Sequence, residues 1–584
     1  MSEGIKENRK KENLMESISR HYIVVLVLIL LLAGALRMIG ADWGMPYGNL
    51  HPDEGIIYDE AFECALNHNF DVHQYYRPNH VSIKCNTILY TLLQELYFNP
   101  RGMTDLETNY NEHLEIFLTA SRILVALFGI GAVFFVYLIG LFWDRKVALL
   151  SAFFAAVFPS LIEHSHYITP DIPLLFFLLG VLWAALGYHK NPSVKWIIWM
   201  SLFTAFAACE KYPGLYGCVI VAVSVIVSNL KKPVRILLHG LLAIAFLFVG
   251  VMAISPVLIL DYHTVLETIK GQNHEFHPGA DGLSKPETFL FYAKTTAIAM
   301  GLLLSLSCLY GIYAAVREGI RSLKFRKDGP NAESTNAEST NAESTNAVNT
   351  YSLGNAIILL ALFCYIFPIS VLSIHWERYL PPVYVAGVIF GAIGIFTFVR
   401  DLKGWMERLP GNGFKWVPVA VSWILILLPA LSLLCGSVAQ VARFLAPDSR
   451  VYLQSEFADM EISPSNTTFD CNTPLDPGGF YGVFSNFEGA DPARYMYGTP
   501  LYICTSSAQR DVYLNSNQEL YGIIADFYRK LDENYPCIYC YTAETPAPHF
   551  LEPVNIFCNA RSVYRYLKGT AAGYEIRLYL YKEL

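Results

Sequence analysis

Two adjacent carboxylates, Asp53 and Glu54, follow His51 and Pro52 directly after the first apolar run of membrane length in this 584-residue chain. Acids just outside a membrane span could act at the lipid-water boundary, one as a proton acceptor and its neighbour as a metal ligand or a fixer of geometry. The same Pro-Asp-Glu string also suits the first turn of a surface helix, where acids face the positive end of the helix dipole. Cations that could answer such a site are Arg122, Lys211 and Arg378, each near the end of an apolar run. Histidines gather twice, as His164 and His166 with Glu163 and Asp171, and as His274 and His277 around Glu275. Each group offers metal ligands or phosphate donors, although hydrogen bonding at a membrane interface is the commoner use of such residues.

The elements that must position these groups are membrane helices. Apolar residues make up 54% of the chain and charged residues only 16%, against roughly 25% charged in soluble globular proteins. The net charge of -8 and the scatter of basic residues beside apolar runs leave no extended basic stripe, which excludes nucleic acid as a partner. Eleven runs of spanning length can be read, at about 22–40, 114–141, 147–162, 171–187, 194–209, 213–229, 235–258, 290–315, 353–373, 380–399 and 416–440. Lys6 to Lys11, Arg145-Lys146, Lys190 to Lys195, Lys231 to Arg235, Arg317 to Lys327 and Arg400 to Lys415 then all fall on one side. The positive-inside rule makes that side cytoplasmic. The candidate acids, histidines and outer cations fall on the other.

This alternation defines a cytoplasmic tail over 1–21, a membrane domain over 22–440 and an extracytoplasmic region over 441–584. The first apolar run is too long for a signal-peptide core and lacks a clear cleavage pattern, so it is expected to stay as a helix. Residues 41–113 form a large external loop in which Tyr58 to Phe62 and Asn86 to Phe98 read as interfacial helices. Asn-Ala-Glu-Ser-Thr occurs three times between Asn331 and Thr345, within a cytoplasmic loop of about 317–352 expected to be disordered. In the tail, Val451 to Leu453, Cys537 to Tyr541 and Tyr574 to Tyr581 read as strands and Leu520 to Leu531 as a helix, which makes a small α/β domain. Cys537 and Cys540 invite a zinc or redox reading, but strict strand alternation would send their sulfurs to opposite faces and no second such pair exists.

The order of features resembles the GT-C membrane glycosyltransferases that use polyprenyl-phosphate sugars, the group containing protein O-mannosyltransferases and lipid A aminoarabinose transferases. The matching residues are Asp53-Glu54, Ser121-Arg122, Phe158-Pro159-Ser160 with Thr169-Pro170-Asp171, Glu210 to Gly214, and Glu377-Arg378-Tyr379-Leu380-Pro381. The resemblance spans roughly residues 20–450. It implies a GT-C-like, α-helical polytopic membrane protein of about eleven transmembrane helices with a small C-terminal extracytoplasmic α/β domain. It also implies transfer of a sugar from a polyprenyl-phosphate donor to an extracytoplasmic protein, lipid or glycan, by an enzyme of the plasma (inner) membrane. Asp53 is then the general base, and Glu54 a supporting acid that orients the acceptor or holds a divalent metal if one is used. Arg122, Lys211 and Arg378 would meet the phosphate, as would His277 in the loop after the seventh span, with His164, His166 and Asp171 in support. Simpler partners exist: headgroups for Arg122, Glu377 for Arg378 and Glu210 for Lys211. A transporter or lipid flippase with an external binding domain is the reading from another class, and a non-catalytic scaffold or sensor is a third. Against the transporter, no paired broken helices in inverted repeats are visible and the candidate groups sit at one face, away from the midplane.

Overall fold

Backbone amides in a bilayer can be satisfied only within the protein, so apolar runs of this length fold as helices. The computed structural model describes residues 21–47, 50–271, 283–327, 353–372, 375–408, 416–470, 473–474 and 501–582. Among them, seven helices are long and apolar enough to cross a membrane, or up to nine if each of two bent pairs is one span. The other two runs read from the sequence are shorter helices: Val194–Glu210 has 17 residues, and the run at 353–373 begins as Leu353–Phe363. The repeat Asn331 to Thr345 lies outside the described residues.

Burial ranks the helices. In Asp171–Lys190 and Pro381–Met406, 83% of the apolar window is buried, whereas Pro233–Ile254 and Val417–Leu445 bury only 11% and 22%. The first two form the centre of the bundle, and the site residues lie at their N-terminal ends. Leu302–Lys327 packs along Pro381–Met406. Gly311 and Gly394 allow this: a side-chain carbon on either would sit 1.8 Å from the carbonyl oxygen of Phe390 or Ser307, the close approach for which small residues are used between membrane helices.

Both bent pairs have identifiable causes. Arg145–Ala156 turns by 60° into Pro159–His166 because Pro159 starts a new helix. The carbonyls of Ala155 and Ala156, at the helix end before the break, are taken by the buried Arg37 guanidinium at 3.1 and 2.9 Å. The second pair bends by 112° at Gly301, whose φ of 77° favours glycine.

After the first span the chain builds a helical cap on one end of the bundle from Gly55–Leu66, His80–Leu93 and Leu106–Glu112. Its own core includes Ile57, Tyr58, Ile83, Tyr90, Phe98 and Phe117. Glu210, fully buried at the end of Val194–Glu210, ties this cap down by accepting from the Ser82 amide at 2.9 Å and from the Ser82 hydroxyl.

The C-terminal region carries a four-stranded sheet in the order β1-β2-β4-β3, from Thr467–Phe469, Tyr502–Ser506, Cys537–Tyr541 and Ile576–Leu580. β1 and β2 are parallel and the other pairs antiparallel. The expected strand at Val451 to Leu453 is instead part of the helix Ser449–Asp459, because Asp448 caps its start by accepting from the Arg450 amide. A register shift between Cys537 and Tyr539 breaks the alternation on which their opposite facing rested, and both Cys537 and Cys540 are exposed thiols. Arg450 donates to the Leu50 carbonyl at 2.9 Å, which joins this region to the loop that holds Asp53.

Candidate active site

Asp53 and Glu54 sit where the chain turns into Gly55–Leu66, and successive positions at a helix start point about 100° apart. They therefore enter different surroundings. Asp53 is held between two guanidinium groups, Arg77 at 2.5 Å on one oxygen and Arg378 on the other. Burial alone would raise its pKa, but the charges of Arg378 and Arg77 outweigh that and hold the carboxyl well below the usual range. Glu54 is wholly buried. Arg122 Nε and Nη2 grip its two oxygens at 3.1 and 2.9 Å, and the Ile168 amide donates to it at 2.9 Å.

Arg378 and Glu377 share a short turn that precedes Pro381–Met406, where Pro381 opens the helix. They diverge in the same way. Arg378 reaches Asp53, and its Nε has no hydrogen-bond partner among the described residues. Glu377 instead accepts from Ser160 at 2.7 Å and Tyr384 at 2.6 Å and meets His164 Nε2 at 3.1 Å. Beside them Lys211 pairs with Asp171 at 2.6 Å and lies 4.8 Å from the Tyr379 ring centre. Asp171 is the first residue of its helix, where the dipole favours an acid. Asp171 is also close enough to add to the field on Arg378.

One end of the bundle thus gathers Asp53, Arg378, Lys211, Asp171 and His164, drawn from four separate chain segments. The alternative partners do not form: Glu377 turns from Arg378 to His164, and Lys211 turns from Glu210 to Asp171. Arg122 is fully buried beneath this group, and its Nη1 donates to the carbonyls of Ala41 and Trp43 as well. A phosphate could reach it only by breaking the Glu54 pair. Likewise Glu54, with both oxygens held, orients Arg122 and touches no open surface. His166 is also internal: its ring nitrogens lie 2.9 and 3.0 Å from the carbonyl oxygens of Ile162 and Ile39, and the ring stacks on Phe444. His277 lies outside the described residues.

Arg77, which pairs with Asp53, is the site residue that the sequence did not single out. The available signal was weak, an arginine flanked by Tyr75, Tyr76 and Pro78 in a loop that also carries Lys84 and Arg101. Among the described residues, no group of three or more His, Cys, Asp or Glu side chains is placed to hold a metal ion, and the Asp53 oxygens already face two cations.

The helical bundle and its site define a class, a multi-pass membrane protein with an ionic cluster at one end of the bundle. Residues 87–266 match the family model of dolichyl-phosphate-mannose-protein mannosyltransferase, a segment that includes Arg122, His164, Asp171 and Lys211. This supports a membrane glycosyltransferase of the GT-C type. No curated protein matches the chain significantly. Among solved structures, the apo oligosaccharyltransferase of Archaeoglobus fulgidus aligns at 14% identity over 89% of this chain and 73% of its own, with a TM-score of 0.49. AglB from the same organism, in complex with an inhibitory peptide and a dolichol-phosphate, aligns at 12% over 89% and 73%, with a TM-score of 0.46. ArnT from Cupriavidus metallidurans bound to undecaprenyl phosphate aligns at 13% over 96% and 98%, with a TM-score of 0.44.

Proposed function

We propose that this protein transfers a sugar from a polyprenyl-phosphate donor to an acceptor on the extracytoplasmic side of the membrane, with Asp53 as general base. The observation that carries the reading is the Asp53 carboxylate held between Arg77 and Arg378, with Lys211 beside them, at one end of the bundle. Such transfer needs an acceptor to lose a proton, a phosphate to leave with the electrons of the bond to the anomeric carbon, and cations to receive it. Arg378 is the hinge of the scheme. A donor phosphate, accepting from its Nε and then from Nη1, draws Arg378 away from Asp53. Losing that counter-charge raises the carboxyl's basicity, so the base strengthens only when the donor is in place. Lys211 supplies the second cation, and His164 with Glu377 braces the turn that presents Arg378. The family match, whose description names a dolichyl-phosphate sugar, supports a lipid-phosphate donor.

Purified protein incubated with a panel of radiolabelled polyprenyl-phosphate sugars, together with a membrane and extracytoplasmic extract that supplies the acceptor, tests this, with Asp53→Asn as control. Release of polyprenyl phosphate by the wild type and its loss in Asp53→Asn are expected. Equal consumption by both forms removes Asp53 from the chemistry, and consumption by neither rejects the transferase.

A further inference from the structure

The C-terminal region contains a helix that is inside out for a soluble domain. In Glu552–Leu567 the buried residues are Glu552, Asn555, Asn559, Ser562 and Tyr566, all polar. The exposed side carries Phe557, Tyr564 and Leu567, at 69%, 61% and 80% exposure. A water-facing helix shows the reverse pattern.

The N-terminal half of its polar side is occupied by membrane helices, whereas Ser562 and Tyr566 further along donate to Glu544 of the C-terminal region itself. Asn555 donates to the Ser432 hydroxyl at 2.9 Å, and Asn559 lies against Gly436, one turn further along both helices. Glu552 accepts from the Leu303 amide at 2.6 Å, and Phe550 accepts from that of Leu302 at 2.8 Å; these amides open the helix after the Gly301 bend. The helix therefore runs parallel to the outer part of Val417–Leu445, with small residues and amide hydrogen bonds in the seam, as pairs of membrane helices do. Its sixteen residues cover about 24 Å, beside the outer half of that 29-residue helix.

We infer that Glu552–Leu567 is embedded in the lipid, its apolar side against the acyl chains, so that the sheet domain is anchored in the membrane by its own helix. The occupant follows from continuity. Val417–Leu445 leaves Leu431, Val438 and Leu445 exposed, a lipid-facing surface if this helix spans the bilayer, and the apolar side of Glu552–Leu567 extends it. Arg561 and Lys568, both exposed, have stems long enough to carry their charges up to the headgroups.

The test places p-benzoylphenylalanine at Phe557, Tyr564 or Leu567 of the full chain in lipid nanodiscs, followed by irradiation and mass spectrometry of adducts. Leu431 is the lipid-facing control and Ile523, 54% exposed on the helix Gln518–Asn534 of the sheet domain, is the aqueous one. Acyl-chain adducts at Phe557 and Tyr564 should match those at Leu431 and exceed those at Ile523 by about tenfold. Aromatic replaces aromatic at these positions, and Leu567, at the helix end, serves as the second site if either substitution prevents folding. Labelling as low as at Ile523, or adducts on protein segments or a second copy in place of lipid, overturns the inference. The readout does not depend on transferase activity, so it stands apart from the fate of the proposed reaction.

Discussion

Asp53 and Glu54 are neighbours in the chain with opposite surroundings. Asp53 shares two cations that are themselves about one-fifth exposed, whereas Glu54 and Arg122 have no exposed side-chain surface at all. The first arrangement can exchange partners with an incoming anion at modest cost. The second cannot, because parting a buried pair leaves an uncompensated charge. An open carboxylate is thus mounted on a closed one, and the closed pair holds the turn from which the open one reaches out.

The sharpest way to break this comparison is Asp53→Asn. Loss of a general base should lower kcat by about 10²- to 10⁴-fold, with the thermal midpoint nearly unchanged; a large drop in stability would instead make Asp53 structural. Arg122→Ala should do the reverse. Removing one partner of a buried pair is expected to cost about 3–5 kcal/mol of stability, seen as a lowered midpoint and a poor yield of folded protein. A variant that folds normally yet has lost donor binding would return Arg122 to the phosphate.

Arg77→Ala sharpens the comparison further. A hydrogen bond to a charged group is worth about 1.5–3 kcal/mol, which sets a loss in kcat/KM of roughly tenfold or more if Arg77 orients the base. Asp53 then keeps Arg378 as its main counter-charge, so its pKa rises toward the ordinary value and the acid limb of the pH-rate profile moves to higher pH. An unshifted limb would show that Arg77 does not act on Asp53.

How much of this was legible in the sequence depends on the kind of interaction. The alternation of apolar runs and basic clusters brought Asp53, Asp171, Lys211 and Arg378 to one face, and their contacts agree with that placement. Partner choice was not legible. Glu377 and Arg378 look like a local pair in one dimension, but residues adjacent in a tight turn point apart, and Glu377 finds His164 more than two hundred positions away. The same divergence separates Asp53 from Glu54. Arg77 gave a compositional signal only, an outer arginine, with nothing to say which acid it meets. In the C-terminal region, β-branched and aromatic residues at 451–453 suggested a strand, and the Asp448 cap decided for a helix. The polar-inward side of Glu552–Leu567 has helical spacing, yet only the positions of Ser432 and Gly436 reveal which way it faces.

The smallest expected effect is on stability at acid pH. The folded-state pKa of Asp53 is depressed, so the clamp contributes fully above the unfolded carboxyl value of 3.8 and is lost as pH falls through the lower folded value. Between pH 8 and 5 this group should leave the unfolding midpoint unchanged. Below 3.8 the wild type should lose stability that Asp53→Asn never had, and the two curves should converge. The gap is on the order of 1 kcal/mol, since partly exposed pairs are screened by water and both arginines have other contacts. Intrinsic-fluorescence melts of both proteins from pH 8 down to below 2 measure it. Parallel curves across the whole range would mean that Arg77 and Arg378 do not clamp Asp53 in solution, and the contrast with the closed Glu54 pair would lose its open half.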